Sequence, residues 1–173
     1  MNEYLSESFK RNVTLQSPST RAVEFEGYVP EEMEELDDHG TIFSRKSPTE
    51  TFFDIAKVHI ITTNTINALR RLIPDSRIEA RRFRPNIIID VPDKEGFVEE
   101  SWVDKTIHIG DKVKLKIIQP TKRCVMTTLA QGDLPDDINV LKTLVKENNG
   151  NFGVYADIQQ TGQIKVGDPI TIE

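Results

Sequence analysis

The chain has 173 residues and a formal net charge of -6, with 22 lysines and arginines against 28 aspartates and glutamates. This length is enough for one domain with a real core, and the acidic balance argues against a general nucleic-acid binder. No apolar run approaches the roughly 20 residues that span a bilayer, and the N-terminus lacks the apolar core of a secretory signal. We therefore expect a cytoplasmic protein with no membrane and no nucleic-acid partner.

Residues 1–50 indicate an irregular segment, acidic and partly mobile, because its turn-rich stretches are punctuated by proline and glycine. Within it, residues 11–16 predict one short strand. Residues 30–38 predict a short acidic helix, since Pro30 stands at its start and carboxylates follow in its first turn.

The next stretch of the chain carries tighter periodic patterns. Residues 52–62 are rich in β-branched and aromatic side chains and predict a strand. Residues 62–74 have apolar positions at helical spacing and predict a helix, with Thr63 or Asn64 as its cap. Residues 83–91 contain a continuous apolar run, which indicates a strand buried on both faces.

The second half of the chain predicts more strands than helices. Residues 105–121 indicate two strands around a Gly-Asp turn, and residues 126–131 indicate another strand. Residues 134–148 predict a helix with a single apolar stripe, which ends at Asn-Asn-Gly. The last segment, residues 152–173, predicts a hairpin-like pair of strands. The expected fold is therefore mainly β with a few helices, as a curled sheet or a β-barrel.

Cys124 is the only cysteine of the chain, and it follows Lys122 and Arg123. It cannot form an internal disulfide, which suits a reducing compartment. The thiolate is the reactive and metal-binding form of cysteine, and neighbouring cations favour it. The alternative is a small buried side chain, because free cysteine is among the most buried residue types.

A zinc site is not expected, because no histidine stands at ligand-pair spacing. His59 and His108 are interpreted as ordinary histidines within strands.

A basic run holds Arg81, Arg82 and Arg84 and is followed by Asn86. Arginine forks suit phosphate and carboxylate groups, so this cluster predicts a site for an anionic ligand. The alternative is a surface run that pairs with the acidic N-terminal segment. The helix start at residues 62–65 also allows two interpretations, anion binding through its amides or simple capping. Together with the cation-flanked thiol, these features predict one pocket for an anionic, sulfur- or metal-bearing ligand.

Five segments occur in an order that resembles a MOSC domain, the module named for the C-terminal part of molybdenum cofactor sulfurase. They are TTNTINALRRL, RRFRPNIIIDV, FVEESWVDKTIHIGD, PTKRCVMTTLAQGD and GQIKVGDPITIE. The resemblance covers residues 51–173, which we assign to this domain, and it leans toward the branch of the mitochondrial amidoxime reducing component. It implies a β-barrel like the small barrel domain of pyruvate kinase.

The resemblance also implies a function and a set of site residues. Cys124 would be the catalytic thiol and the ligand of a molybdenum ion that a pyranopterin phosphate carries. The other cofactor-binding residues implied in this way are Thr62, Thr63, Asn64, Arg82, Arg84, Asn86, Thr121, Arg123 and Tyr155. The expected activity is the reduction of N-oxygenated substrates, with electrons from an external redox protein.

Two alternatives stay open. One is a non-enzymatic sulfur carrier that holds a persulfide on Cys124 for metal–sulfur cofactor assembly, in which case pyridoxal phosphate would belong to a partner desulfurase. The other is a module that binds a small anion or a protein. The two-domain reductases of the family have a further N-terminal β-rich domain, whereas only residues 1–50 precede the match here. We therefore expect the cofactor to be held weakly, transiently or with a partner.

Overall fold

A computed structural model of the protein describes residues 1–17, 23–28, 40–51, 53 and 55–173. Within these residues the chain forms three α-helices and eight β-strands. The helices are α1 (Asn2–Ser8), α2 (Thr63–Leu72) and α3 (Asn139–Asn148). The strands are β1 (Glu24–Tyr28), β2 (Ile42–Lys46), β3 (Val58–Thr62), β4 (Ile87–Ile89), β5 (Thr106–Ile109), β6 (Val113–Lys122), β7 (Asn151–Gln160) and β8 (Ile170–Ile172).

Six of these strands form one curled sheet in the order β4-β3-β7-β6-β5-β8. Neighbouring strands run antiparallel except β3 and β4, which run parallel. The long strands β6 and β7 form the centre of the sheet, and register shifts between them mark irregularities of the bulge type that increase the local twist. The prediction of a mainly β, barrel-like fold with a few helices is confirmed.

The apolar core consists of two clusters that share β3. Ile60 and Ile61 are neighbours in this strand, so their side chains point to opposite faces of the sheet and join different clusters. The first cluster packs Ile60 against Trp102 and the inward side chains of β5 and β6. The second packs Ile61 against Leu69 of α2 and Leu144 of α3. The two helices therefore cover one face of the sheet and fix the position of the strand ends.

Residues 1–50 contain more regular structure than the sequence predicts. They hold α1 and an antiparallel hairpin, in which β1 pairs with β2 from Glu24 opposite Lys46 to Tyr28 opposite Ile42. The predicted strand at residues 11–16 is wrong, because those residues form no strand. The predicted acidic helix at residues 30–38 lies outside the described residues. Strand pairing between distant segments leaves no local periodic signal, and this is why the hairpin is not predicted.

Both predicted helices are confirmed, with a correction at the cap of α2 and another at the start of α3, which begins at Asn139 rather than at residue 134. The N-cap of α2 is Thr62, whose Oγ1 accepts a hydrogen bond of 3.1 Å from the backbone N–H of Thr65. The caps predicted from the sequence, Thr63 and Asn64, are therefore wrong by one and two positions. Helix α3 ends at Asn148, and its C-cap Asn149 has the left-handed φ of 50° expected at such a position.

Three strand predictions need correction. The first strand begins at Val58 rather than at residue 52. Strand β4 lies at the edge of the sheet, where Ile88 is 48% exposed, so it is not buried on both faces. Residues 125–127 form a 3₁₀ helix in place of a strand.

The C-terminal strands do not form the predicted hairpin. Strand β8 pairs antiparallel with β5, whereas β7 pairs with β3 and β6. The loop of residues 161–169 therefore crosses to the far edge of the sheet instead of closing a tight turn. No helix in the described part of the chain is long and apolar enough to cross a membrane.

Candidate functional site

Cys124 lies two residues after the end of β6, where the chain leaves the sheet. Its carbonyl accepts hydrogen bonds from Thr127, through the backbone N–H at 3.1 Å and through Oγ1 at 2.9 Å, and these contacts start the 3₁₀ turn Val125–Thr127. The backbone of Cys124 is thus fixed while its side chain is exposed. The alternative of a buried structural cysteine is wrong.

A cavity of about 740 Å³ surrounds this thiol. Five cationic side chains line it, and no carboxylate does so among the described residues. The cations are Arg45, Arg82, Arg84, Lys122 and Arg123. The apolar part of the wall includes Met126 and Leu129, which are 61% and 44% exposed. The thiol therefore stands in a positively charged cleft with an apolar rim.

A second cavity of about 670 Å³ adjoins the first, because Ile55, Arg84, Arg123 and Tyr155 line both. The sequence-predicted residue Asn86 lines this second cavity. The structure therefore brings four predicted residues to the Cys124 cavity, which are Arg82, Arg84, Arg123 and Tyr155, and a fifth, Asn86, to the adjoining cavity.

Arg82 holds the loop that follows Cys124. Its side chain is 1% exposed, and its guanidinium donates to three backbone carbonyls, those of Thr127 at 3.1 Å, Leu129 at 3.3 Å and Pro135 at 2.9 Å. Its Nε is buried with no partner among the described residues. Arg82 thus shapes the wall of the cavity, and its predicted contact with an anion stays a prediction.

Arg81 of the basic run and Arg77, four residues before it, are exposed and pair with acidic side chains. Arg81 contacts Glu79 at 2.7 Å and Asp133 at 2.6 Å, and Arg77 contacts Asp133 at 3.1 Å. Arg81 and Arg77 hold the pKa of the Asp133 carboxyl well below its usual range. The alternative interpretation is a surface run that pairs with the acidic N-terminal segment. These two arginines do form ion pairs at the surface, but their partners within the described residues are Glu79 and Asp133. The ion pairs tie the arginine run to the loop after Cys124.

Arg84 and Arg123 are the predicted arginines that line both cavities. The exposed Arg84 side chain has no hydrogen bond or ion pair within the described residues. Arg123 is half-buried, donates to the Phe83 carbonyl at 3.0 Å and stacks above the Phe83 ring, while its Nε has no partner among the described residues. Burial lowers the pKa of Arg123 from its usual value. Both side chains can meet an anion.

Asn86 and His59 join the start of β4 to β3. The backbone N–H of His59 donates to Asn86 Oδ1 at 2.7 Å, and the Asn86 N–H donates to the His59 carbonyl at 2.8 Å. The buried His59 ring donates from Nε2 to the Phe152 carbonyl at 3.2 Å and lies 5.7 Å from the Tyr155 ring. Burial, together with the nearby charge of Arg123, lowers the pKa of His59 to about 4, so the ring is neutral at neutral pH. The interpretation of His59 as an ordinary core histidine fits these contacts.

The predicted residues at the start of α2 line neither cavity. Thr62 donates to the buried carboxylate of Glu99 at 2.8 Å, and Thr63 donates to Asp90 at 2.5 Å. Asn64 donates to the carbonyls of Val91 and Lys94. These contacts fit the capping interpretation of residues 62–65.

Thr121 is fully buried in β6, and its Oγ1 has no partner among the described residues.

Sequence reasoning missed Arg45, which β2 brings to the Cys124 cavity. No local signal marks this residue, because its position depends on the pairing of β1 with β2. Within the described ranges, no group of three or more histidine, cysteine, aspartate or glutamate side chains could hold a metal ion.

Comparison with known proteins finds one matching family model and several similar proteins of one kind. The family model described as "MOSC domain" matches residues 48–171. The chain is 26% identical over 130 residues to mitochondrial amidoxime reducing component 2 of Rattus norvegicus, which covers 68% of this chain and 37% of that protein. It is 30% identical over 109 residues to mitochondrial amidoxime-reducing component 1 of Homo sapiens, which covers 56% of this chain and 31% of that protein. The chain thus spans about a third of the length of these relatives. Their names place them in mitochondria, and the cytoplasmic location expected for this chain stays a prediction.

Proposed function

The chain belongs to the MOSC domain family, and from this membership we propose that it binds a molybdenum cofactor with Cys124 as a ligand of the metal. The observation that carries the proposal is the exposed Cys124 thiol within a cavity lined by five cations. A soft thiolate suits molybdenum, and a positively charged wall suits the phosphate of a pyranopterin.

The residues present fit such a group. Arg84 and Arg123 line both cavities and supply charged donors for the phosphate. The Nε atoms of Arg82 and Arg123 are buried polar atoms without a partner in the described residues, and both residues line the Cys124 cavity, so a ligand there could satisfy them. Asn86 and Tyr155 line the second cavity, which has room for the pterin.

We propose that the loaded protein reduces N-oxygenated substrates, as the names of its relatives indicate for those proteins. When bound, molybdenum would supply the two-electron chemistry of that reduction, and an external redox protein would supply the electrons. The chain's own residues hold the cofactor and shape the cleft. The apolar side chains of Met126 and Leu129 would exclude water from one side of the substrate.

A second candidate function is that of a sulfur carrier, and the exposure of the thiol favours it. A partner desulfurase could reach Cys124 directly, and the persulfide would then be stabilised by the same cations. In that case pyridoxal phosphate would reside in the partner.

Retention of the cofactor in a variant of Arg84 tests the leading proposal. We expect Arg84→Gln to bind the cofactor about tenfold more weakly, because a charge-assisted hydrogen bond to phosphate is lost. Amidoxime consumption with a chemical electron donor should fall in proportion to the molybdenum content. The control is Arg71→Gln, since Arg71 is an exposed arginine that lines neither cavity. Unchanged molybdenum and activity in Arg84→Gln would count against this assignment.

A further inference from the structure

Glu50 is the only carboxylate among the described residues that line the second cavity, which adjoins the Cys124 cavity. It lies in a turn between β2 and β3, where the Thr51 hydroxyl donates to the Pro48 carbonyl at 2.9 Å and accepts from the Phe53 backbone N–H at 3.3 Å. The Glu50 side chain is exposed and forms no hydrogen bond or ion pair within the described residues. The turn therefore has its own internal hydrogen bonds, while its carboxylate stays free for a ligand.

The backbone of Glu50 is strained. Its φ is 60°, in the left-handed region that a residue with a long side chain rarely adopts. Arg84, which lines the same cavity, has a φ of 53°. Strained residues of this kind cluster at binding sites, where the surrounding structure holds them in a conformation that serves the ligand. Two residues of opposite charge with such backbones thus line one cavity.

Glu50 and Arg84 share this cavity but do not pair with each other within the described residues. Elsewhere on the surface an exposed arginine does pair with a carboxylate, as Arg81 does with Asp133 at 2.6 Å. A cavity with both a free carboxylate and a free guanidinium suits a ligand that carries N–H donors at one end and an anionic group at the other.

The lining residues define an order along the two cavities. Cys124 lines only the first cavity, and Arg84 and Arg123 line both. Glu50 and Phe53 line only the second. The proposed function assigns the metal to Cys124 and the phosphate to the shared arginines, which leaves the Glu50 end for the pterin. The Phe53 side chain there is 47% exposed and offers an aromatic surface to a flat ring.

We propose that Glu50 recognises the pterin of the cofactor by accepting hydrogen bonds from the N–H groups of its 2-amino-4-oxopyrimidine edge. This edge presents two neighbouring donors, the ring N3–H and the 2-amino group, and a carboxylate can accept two such donors side by side. The inference rests on the proposed function, because it takes Cys124 as the ligand of the metal. It makes Glu50 a residue that determines specificity for the cofactor.

Equilibrium binding of two ring probes to the full chain, freed of the cofactor, tests this role. The first probe, 6-hydroxymethylpterin, carries the 2-amino donor, whereas 6-hydroxymethyllumazine has a carbonyl oxygen in its place. We expect the wild type to bind the pterin at least about tenfold more tightly, because the lumazine oxygen would face the carboxylate without a proton to share. Glu50→Gln should remove this preference, because an amide can donate to the lumazine oxygen.

The matched control is Asp93→Asn. Asp93 is an exposed carboxylate with a φ of 59°, and it lines neither cavity. Its substitution therefore removes a carboxylate from an equally strained backbone far from the cofactor's assigned site in sequence, and the preference for the pterin should stay as in the wild type.

Loaded protein gives a second readout, the molybdenum that remains after dialysis. We expect Glu50→Gln to lose molybdenum at least about fivefold faster than the wild type and Asp93→Asn to lose it at the wild-type rate. Equal binding of the two probes by the wild type, an intact preference in Glu50→Gln, or unchanged retention of molybdenum in that variant overturns the assignment of Glu50. If the wild type holds molybdenum but binds the probes equally, the proposed function stands without this role. If the wild type prefers the pterin but holds no molybdenum, the proposed function fails while the pterin site stands.

Discussion

At the scale of single residues, two arginines of one short run have different contacts. Arg82 is buried and donates to three carbonyls of the loop after Cys124, whereas Arg81 is exposed and pairs with Glu79 and Asp133. Leaving a buried charge or buried carbonyls without hydrogen-bond partners destabilises a folded protein far more than the loss of an exposed ion pair. The run therefore supports the site mainly through Arg82.

We predict that Arg82→Ala lowers the free energy of unfolding by about 3 kcal/mol, because three carbonyls lose their donor and the loop loses its anchor. Urea unfolding monitored by circular dichroism measures the change. Arg81→Ala is the control and should have a much smaller effect. Equal losses in the two variants would contradict the assigned role of Arg82.

His59 predicts a dependence of stability on pH. Burial lowers its pKa in the folded protein from the usual 6.5 to about 4, so between these values the unfolded chain binds the proton and the folded chain does not. Stability should therefore fall as the pH drops from about 6.5 to about 4, by about 3 kcal/mol in total from this group. His59→Gln should flatten this part of the profile in urea titrations at several pH values. A variant profile as steep as that of the wild type would show that His59 is not the source.

The sequence indicates which residue types matter at the site but not which atoms they contact. Cys124 stands out because it is the only cysteine, and Arg84 stands out because it lies in a basic run. The role of Arg82 depends on carbonyls that lie 45, 47 and 53 positions later in the chain. No local pattern encodes such a contact.

At the scale of elements, β3 and β7 pack so closely that only glycine fits at one position. Gly153 has a φ of +89°, and an added Cβ would lie 2.5 Å from His59 Nε2 and 2.6 Å from the carbonyl oxygen of Ile60. The second of these neighbours is backbone and cannot move aside without disturbing the sheet. Gly167 has a similar φ of +92°, but nothing lies within 4 Å of its added Cβ.

This pair of glycines separates crowding from backbone strain. We predict that Gly153→Ala lowers the free energy of unfolding by about 3 kcal/mol or more, since overpacking adds to the strain of a positive φ. Gly167→Ala carries the strain alone and should cost about 1–2 kcal/mol. Thermal and urea unfolding of both variants measure the difference. Similar losses would mean that the sheet can relax around position 153.

Elements with a local period are predictable from this sequence, and elements defined by distant pairing are not. Helices α2 and α3 are predicted because their apolar stripes recur at helical spacing, and β5 and β6 are predicted because a turn signal separates them. The hairpin β1–β2 and the pairing of β8 with β5 depend on partners far along the chain. The missed hairpin is the element that brings Arg45 to the Cys124 cavity.

At the scale of the whole molecule, the formal net charge and the local charge at the thiol have opposite signs. The chain carries -6 overall, yet Arg45, Arg84, Lys122 and Arg123 surround the exposed Cys124. Local cations within about a Debye length, roughly 10 Å at 0.1 M salt, dominate the potential at the thiol. Anionic molecules should thus be attracted to this one region of an acidic protein.

Alkylation of Cys124 in protein freed of the cofactor measures this local potential. Iodoacetate is negatively charged and iodoacetamide is neutral. We predict that the rate with iodoacetate divided by the rate with iodoacetamide is at least about threefold higher in the folded protein than in the urea-unfolded chain, because cations attract the negative reagent. The ratio should fall in 0.5 M salt and in the variant Arg84→Gln/Lys122→Gln. If folded and unfolded chains give the same ratio, the cavity does not carry the inferred field.

The family model matches residues 48–171, and the order of motifs in the sequence predicts the domain over residues 51–173. Such motifs are visible because they contain unusual residues at fixed places, Cys124 above all. Substrate and electron donor leave no comparable pattern, since they depend on surfaces that form only when distant segments meet.

The most direct test of the central claim is an elemental analysis of freshly purified wild type beside Cys124→Ser, for molybdenum and for cyanide-releasable sulfur. We predict molybdenum in the wild type and at least about tenfold less in the variant, because the serine hydroxyl is a poor substitute for a soft thiolate ligand. Thermal unfolding should be almost the same for both proteins, since the side chain is exposed. Labile sulfur without metal in the wild type alone would identify a sulfur carrier. Equal molybdenum in the two proteins would contradict the assignment of Cys124 as the metal ligand.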